Sequence, residues 1–369
     1  MKKILLICNT TQNIYNFRLP LIKNMISANY LVETISFDEK YSSFLKDCGV
    51  KNHCVNGDNR SINPFKTFSL KKRIKKTIGE IKPDIVFTFT AKPNIYGTIC
   101  AHKIGVKSIY CMVEGAGDPF IKTSLKWRLI KKIECFLFRR AFRYAKKIFF
   151  LNEDDKKEFV GLKLLSQEKA IIIDGIGVDL DKFKYSKVNC DSSAFVMVAR
   201  MLKTKGVFEY CECARIVKKE YPNARFLYLG SEGDVKVEDI KEFIENGEIE
   251  YLGNVTDVRP FLESSILMIL PSYREGKPMS IMEAEAIGRG IITTTNVGCK
   301  DMVIDGYNGF LVEHKDFQTM AIRCKEVLSN RSIIESFGKN SRLLAEKKFD
   351  QKKINAYILE CIDENNSCA

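Results

Sequence analysis

"GIGVDLDKFKYSKVNCDSSAFVMVAR" spans residues 175 to 200, and its two parts behave differently. From 175 to 193 two glycines, polar residues and a lost helical period interrupt the chain, and at 194 a short β-rich apolar run begins afresh. On both sides of this break one rhythm recurs. Short runs rich in β-branched and aromatic residues alternate with longer stretches of helical period, as expected of βα units stacked around parallel sheets. Before the break the strand candidates are "KKILLICN", "LVETISF", "DIVFTFT", "VKSIYCMV", "KIFFLN" and "KAIIIDG", with helices expected near 18 to 28, 66 to 82, 93 to 105, 123 to 145 and 153 to 163. After it come "AFVMVAR", "RFLYLG", "IEYLGN", "ILMILPS", "GIITTT" and "GFLVE", with helices near 206 to 220, 236 to 247, 257 to 265, 278 to 288 and 316 to 329. The pattern predicts an α/β chain of two doubly wound domains. The first covers 1–178, a linker 179–193 and the second 194–349; the segment 350–369 holds a helix that could pack on either domain.

Composition bounds what such a chain can do. Its 369 residues, 45% hydrophobic, suffice for two cores at roughly 100 to 200 residues per domain. A net charge of +13 calls for an anionic partner: a nucleotide, a nucleic acid or an acidic membrane surface. The thirteen cysteines are scattered, Cys211 and Cys213 forming only a CxC, and no apolar leader follows "MKK"; the expectation is a reducing, cytoplasmic setting. His53, His102 and His314 offer no ligand pair at helical spacing, so no metal site is expected. No run approaches the roughly 20 apolar residues of a membrane span, which makes any membrane contact peripheral. "DLD" at 179–181 can be read as carboxylates holding a diphosphate through Mg²⁺, or as turn and capping chemistry, the preferred reading in a polar linker.

In open parallel sheets ligands bind beyond the carboxyl ends of the strands. After "AFVMVA" stand Arg200, Lys203 and Lys205, just ahead of a helix near Gly206, a diphosphate cradle or else a basic solvated turn. After "ILMILPS" comes "YREGKPMSIMEAEAIGRG". Pro278 suits a first helical position, which leaves amides from Lys277 to Met279 and Ser280 free for an anion, with Gly276 in the preceding turn. Glu275 lies where it can reach the sugar end of a nucleotide sugar, and Glu283, eight positions on, can accept paired bonds from a ribose diol. The plainer alternative makes Glu275 a capping acid and Glu283 part of a solvated helix face. In the first half Glu114 of "VEGAG" follows a strand and could orient an acceptor hydroxyl or assist its deprotonation, or serve as a structural acid in a glycine turn; Gly115 and Gly117 permit close approach of a sugar. The stretch 122–147 interleaves ten cations, among them Arg139, Arg140 and Arg143, with aromatics and a single acid, Glu134. It suits an anionic membrane surface or a nucleic acid, or else is a packed helix with a solvated basic face; "KKRIKK" at 71–76 favours a contiguous patch.

"ARMLKTKG" and the stretch from "PSYREGKPMS" to "NGFLV" resemble the nucleotide-sugar half of the family 4 retaining glycosyltransferases, whose E-x7-E hallmark corresponds to Glu275 and Glu283. "GIGVDLDKF" resembles that family's interdomain linker, which explains the DLD without metal, and the likeness runs over nearly the whole chain. It implies a GT-B fold, two Rossmann-like domains facing a central cleft, with Arg200 and Lys205 on the diphosphate, Glu275 on the donor hexose and Glu283 on the ribose. It further implies retention at the anomeric carbon and no cofactor. "NIYNFRLPLIKNM", "SINPF", "AKPNIYG" and "VEGAGDPF" are similar to a narrower bacterial group that extends undecaprenyl-diphosphate-linked sugars in N-glycan, O-antigen and capsule assembly, some members adding N-acetylgalactosamine in α-1,3 linkage. By that likeness Asn13, Arg18, Lys92, Asn94, Gly115 and Gly117 belong to an acceptor site. The chain departs from the family in two places: "NTTQNIYNF" lacks paired glycines, and Lys92 stands where some relatives carry a histidine. The expectation is a UDP-sugar donor, a polyprenyl-diphosphate-linked saccharide acceptor and anionic lipids of the inner leaflet as partners, on the cytoplasmic face of the membrane. A UDP-sugar epimerase of the same fold is the rival enzyme. A basic nucleic-acid-binding protein is the rival outside enzymes, though no helix-turn-helix, RRM or zinc pattern supports it, so no nucleic acid is expected.

Overall fold

The computed structural model describes residues 1–58, 64–122 and 124–367; positions 61–63 of "SINPF", Thr123 in the basic stretch and the last two residues of the tail lie outside them. The first sheet comprises β1 (Lys3–Ile7), β2 (Leu31–Ser36), β3 (Lys51–Cys54), β4 (Ile85–Phe89), β5 (Ser108–Val113), β6 (Lys147–Phe150) and β7 (Ala170–Ile172), in the order 3-2-1-4-5-6-7. The second comprises β8 (Ala194–Val198), β9 (Arg225–Leu229), β10 (Glu250–Gly253), β11 (Leu267–Leu270), β12 (Gly290–Thr294) and β13 (Gly309–Val312), in the order 10-9-8-11-12-13. Every pairing within both sheets is parallel. In each sheet the strand order reverses beside its first strand, at β1/β4 and at β8/β11, and such switch points are where ligands collect in doubly wound folds.

Period-2 alternation explains how one strand serves two cores. On β1, Ile4 and Leu6 face a cluster with Leu21, Ile22 and Met25 of helix Leu19–Ser27, while Leu5 and Ile7 face Leu70, Ile74 and Ile78 of helix Pro64–Ile81. Strands covered on both faces become continuously apolar, which is why "KILLI" and "IVFTF" show no polar side. Ile354, Ile358 and Ile362 of helix Gln351–Ser367 join the Ile4 face, and the Tyr110 hydroxyl donates to the carbonyl of Ile362 at 3.2 Å.

The chain divides into one compact unit of Met1–Ile176 with the residues from Lys353 onward, and a second of Gly177–Lys352. The C-terminal helix thus belongs to the first unit. Residues 179–193 do not hang between the units: Phe183 and Val188 are buried in the second core, and Val178 bonds to Phe349 at 2.7 Å and Gln351 at 3.1 Å. Elements absent from the sequence reading are β3 with helix Ser42–Asp47, and helix Ser332–Lys348, which packs on helix Met279–Ile287. The helix expected over 236 to 247 is a 3₁₀ turn, Val237–Ile240, followed by Lys241–Glu245. The twelve cysteines among the described residues are free thiols, and no helix there is long and apolar enough to cross a membrane.

Candidate active site

In the second unit three loops converge at the carboxyl ends of β8, β11 and β12. The turn Lys203–Lys205 ends at Gly206 with φ +77°, where a Cβ would stand 2.3 Å from the Pro271 carbonyl oxygen; glycine is what lets this turn lie against the end of β11. The Thr204 carbonyl then accepts from the Tyr273 amide at 2.8 Å. The Ser272 hydroxyl lies 3.0 Å from the same carbonyl and 2.7 Å from Glu275 Oε1, which also receives the Lys205 ammonium. From the loop after β12, Thr294 Oγ1 and Asn296 Nδ2 donate to the Ser272 carbonyl at 2.6 and 3.0 Å, and the Glu275 amide donates to Val297 at 3.0 Å. Glu275 is therefore held by side chain and backbone at once, as a carboxylate must be if it is to keep one orientation toward a ligand.

Helix Met279–Ile287 begins one residue later than the sequence implied. Pro278 is its N-cap, at φ −73° and ψ 117°, and lies just outside the first turn. Pro278 makes no side-chain capping bond and has no N–H to offer, and the first amides of the helix have no acceptor within it. Lys277 places its ammonium 5.5 Å over the Phe349 ring. The two glutamates of "MEAEAI" take opposite environments, being two positions apart on a helix. Glu285 is wholly buried, accepts from Asn308 Nδ2 at 2.9 Å, and is raised well above the usual carboxylate range by burial. Glu283 is half-buried and accepts no hydrogen bond from a described residue; burial lifts its pKa to about 7, with Asp257 adding and Lys182 opposing. It is not a solvated helix face.

Arg200 and Lys205 do not share one environment. Lys205 is paired with Glu275, whereas Arg200 is exposed at a cavity of about 190 Å³ beyond β8, β9 and β10, walled by Gly230, Ser231 and Asn254. Asp179 accepts the amides of Asp181 and Lys182, both at 3.0 Å, and Asp181 pairs with Lys352 at 2.7 Å; the DLD is turn chemistry. Among the described residues no three His, Cys, Asp or Glu side chains gather as a metal-holding group.

In the first unit, loops after β1, β4 and β5 enclose a cavity of about 420 Å³. Lys92, Asn94, Glu114, Gly115 and Gly117 all line it. Asn13 and Arg18 do not. Arg18 ends a π-helical turn, Ile14–Arg18, a local feature frequent at functional sites. It is buried, pairs with Glu114 and stands 4.5 Å over the Phe89 ring; burial draws its pKa down to about 10, opposed by Cys8, whose thiol burial pushes up to about 12. Asn94 is spent on the scaffold: its Oδ1 accepts from Thr88 and its Nδ2 donates to the Met112 carbonyl, both at 2.7 Å. Lys92 donates to the Asp58 carbonyl, and burial lowers its pKa. Three lining residues were not foreseen as ligands: Asn9, Thr90 and Glu134. For Glu134 the signal was there, a lone acid among ten cations.

Helix Leu125–Phe142 carries the basic stretch. Arg140 and Arg143 are exposed; Arg139 is exposed too, but its guanidinium donates to the carbonyls of Leu162 and Lys163 at 2.9 Å, closing the end of helix Glu153–Gly161. Leu125, Leu129, Ile133 and Phe136 form an exposed apolar stripe along the same helix.

Two parallel Rossmann-like units of this kind define a GT-B glycosyltransferase fold. An Anabaena protein solved with UDP and glucose superposes with a TM-score of 0.82 over 99% of this chain and 100% of its own, at 16% identity; a Rickettsia africae glycosyltransferase gives 0.78, covering 98% of each chain, at 18% identity. Residues 3–152 match the model of glycosyl transferase 4-like proteins and residues 192–330 that of glycosyl transferases group 1, and the chain belongs to this glycosyltransferase family. It is 27% identical over 342 residues, 89% of this chain and 90% of the relative, to the N,N'-diacetylbacillosaminyl-diphospho-undecaprenol alpha-1,3-N-acetylgalactosaminyltransferase of Campylobacter jejuni. To the UDP-Gal:alpha-D-GlcNAc-diphosphoundecaprenol alpha-1,3-galactosyltransferase of Escherichia coli it is 25% identical over 299 residues, 77% of this chain and 76% of the relative.

Proposed function

We propose that this glycosyltransferase moves a hexose or N-acetylhexosamine, with N-acetylgalactosamine in α-1,3 linkage as the specific candidate, from a UDP-sugar to an undecaprenyl-diphosphate-linked saccharide, with retention and without a metal. The observation that carries the reading is the Lys205–Glu275–Ser272 arrangement beside the helix N-terminus at Met279. The names of the Campylobacter and Escherichia relatives supply the lipid-linked acceptor and the α-1,3 linkage, and the UDP in the Anabaena structure supplies the nucleotide.

The proposed chemistry follows charge. As the donor's C1–O bond breaks, negative charge grows on the departing diphosphate, and Arg200, Lys205 and the amides of Met279 and Ser280 stabilise that charge more than the intact ester. With cations already fixed there, a divalent ion is superfluous. Glu275 holds the hexose and Glu283 the ribose diol. Retention follows from same-face attack, with the departing phosphate oxygen taking the acceptor proton, while Glu114, fixed by Arg18, orients the acceptor hydroxyl. The apolar stripe of helix Leu125–Phe142, flanked by Lys126, Lys132, Arg140 and Arg143, suits the anionic inner leaflet from which a polyprenyl-linked acceptor would be drawn.

The test is nucleotide release from a panel of UDP- and GDP-sugars, with and without undecaprenyl-diphosphate-linked mono- and disaccharides, in EDTA. UDP release from one donor only when acceptor is present is the expected result. Acceptor-independent release would favour the epimerase, and loss of turnover in EDTA with rescue by Mg²⁺ would overturn the metal-free mechanism.

A further inference from the structure

The cavity of the first unit has a wall that no acceptor motif includes. Glu134 enters it from helix Leu125–Phe142, together with Phe138, while Asn9 comes from the loop after β1 and Thr90 from the loop after β4. At about 100° per residue, Glu134, Phe138 and Ala141 lie on the face opposite the exposed stripe of Leu125, Leu129, Ile133 and Phe136, so one helix presents apolar residues outward and a carboxyl inward.

Three buried polar atoms in this lining have no hydrogen-bond partner among the described residues: Asn9 Oδ1, Thr90 Oγ1 and Glu134 Oε2. Buried polar atoms in folded proteins are almost always paired, so three orphans around one cavity mark a site built for something else. Thr90 adds an independent sign. Its φ is +67°, a left-handed conformation that strains a β-branched residue, and such strain persists where a side chain must be aimed. All three orphaned atoms can accept, and the Thr90 hydroxyl can also donate, so the missing partner must supply donors to Asn9 Oδ1 and Glu134 Oε2. Phe138 and Ala116 provide the apolar surface on which the C–H face of a sugar ring rests.

The geometry points to Glu134, with Asn9 and Thr90, as the set that reads the acceptor's terminal sugar, taking hydrogen bonds from its hydroxyl or acetamido N–H groups. This rests on the cavity being the acceptor side of the proposed transferase. Lys92 and Glu114 share the cavity wall with Glu134, the Tyr96 hydroxyl and the Cys135 thiol feel its charge, and burial alone lifts the Glu134 carboxyl to about 7. A folded pKa above the unfolded one means stability present at low pH and lost as pH rises through about 7. Glu134→Gln is therefore expected to be at least as stable as the wild type at pH 8, so a functional loss in it is not unfolding.

The experiment uses the full chain with UDP-N-acetylgalactosamine and undecaprenyl-diphosphate-linked N-acetylglucosamine, and in parallel saturation-transfer NMR of free N-acetylglucosamine without donor. Glu134→Ala should raise the acceptor KM about tenfold or more with the donor KM unchanged, since a sugar O–H or N–H left buried without its hydrogen-bond acceptor is costly in recognition. Glu134→Gln, which keeps one acceptor oxygen, should recover part of the loss. An acceptor KM within about twofold of wild type in folded Glu134→Ala, or a donor KM rising in step, would overturn the assignment. Should the wild type turn over no lipid-linked acceptor, the transferase reading fails by itself and the NMR decides the cavity. A sugar signal in the wild type that Glu134→Ala loses sustains the assignment; equal signals, or none in the wild type, overturn it.

Discussion

The two units share a strand order and use it oppositely. At the β8/β11 switch point the loop that carries Glu275 is pre-paired: Lys205 and Ser272 meet on Glu275, and Tyr273 donates to one oxygen of Glu209 at 2.6 Å, while the other oxygen of Glu209 has no partner among the described residues. Beyond β1, β4 and β5 the cavity keeps polar atoms on its wall that have no partner among the described residues, and Asn13 Oδ1 is likewise buried without one there. Their buried arginines differ in the same way. Arg289 in the second unit gives its Nε to the Leu262 carbonyl at 2.8 Å and its Nη atoms to Ser186 at 2.8 and 2.6 Å, whereas Nε of Arg18 has no hydrogen-bond partner among the described residues. A pre-paired site keeps its geometry when empty, and its ligand must exchange existing bonds. An unpaired site carries a desolvation cost that its ligand relieves.

The sharpest way to break this contrast is Glu275→Ala. It removes the centre of the matched network, and turnover should fall by about 10²- to 10³-fold, on the scale of losing a preorganised polar group in a water-poor site, while circular dichroism stays native. Arg200→Ala, at the separate cavity beyond β8 to β10, should also lose most turnover; near wild-type rates in both variants would remove the donor site from the second unit. Next in size is the pH dependence set by Glu283. Its carboxyl, raised to about 7, is protonated below that pH and then accepts a diol poorly, so the donor KM should climb as pH falls below 7, approaching tenfold per unit. Glu283→Gln should flatten that profile, and an unchanged slope in the variant would assign the titration to another group. The smallest effect belongs to the surface of helix Leu125–Phe142. Arg140→Glu should weaken co-sedimentation with phosphatidylserine vesicles by several-fold, about 1 kcal/mol per basic residue, and more than Arg139→Glu, whose guanidinium already serves two carbonyls. Equal binding by both variants and the wild type would return this helix to an ordinary solvated role.

Much of the fold was legible because the signals are local. Continuous apolar runs such as "LMIL" belong to central strands covered on both faces, and the break before Ala194 announces a second series. β3 escaped notice because "KNHC" is a half-buried edge strand of four residues with no apolar face. The linker reading of 179–193 followed polarity, yet Phe183 and Val188 find their core in residues far along the chain. Similar limits hold at the site. The E-x7-E spacing singled out both glutamates as candidates, and the glycine turn Glu114, but Asn94 carried no sign that both ends of its amide serve the scaffold.

By itself the sequence determined the order of strands and helices, the two-series plan and the places where charged residues follow strands, because periodicity and turn chemistry act over a few neighbouring positions. Only the tertiary structure decided which of those groups are engaged. Lys205 meets Glu275 across 70 positions, Arg18 is buried against Glu114, and Glu134 turns inward beneath an apolar stripe. Pairing, burial and the pKa values that follow from them depend on which distant atoms the fold brings within a few ångströms, and no local pattern encodes that.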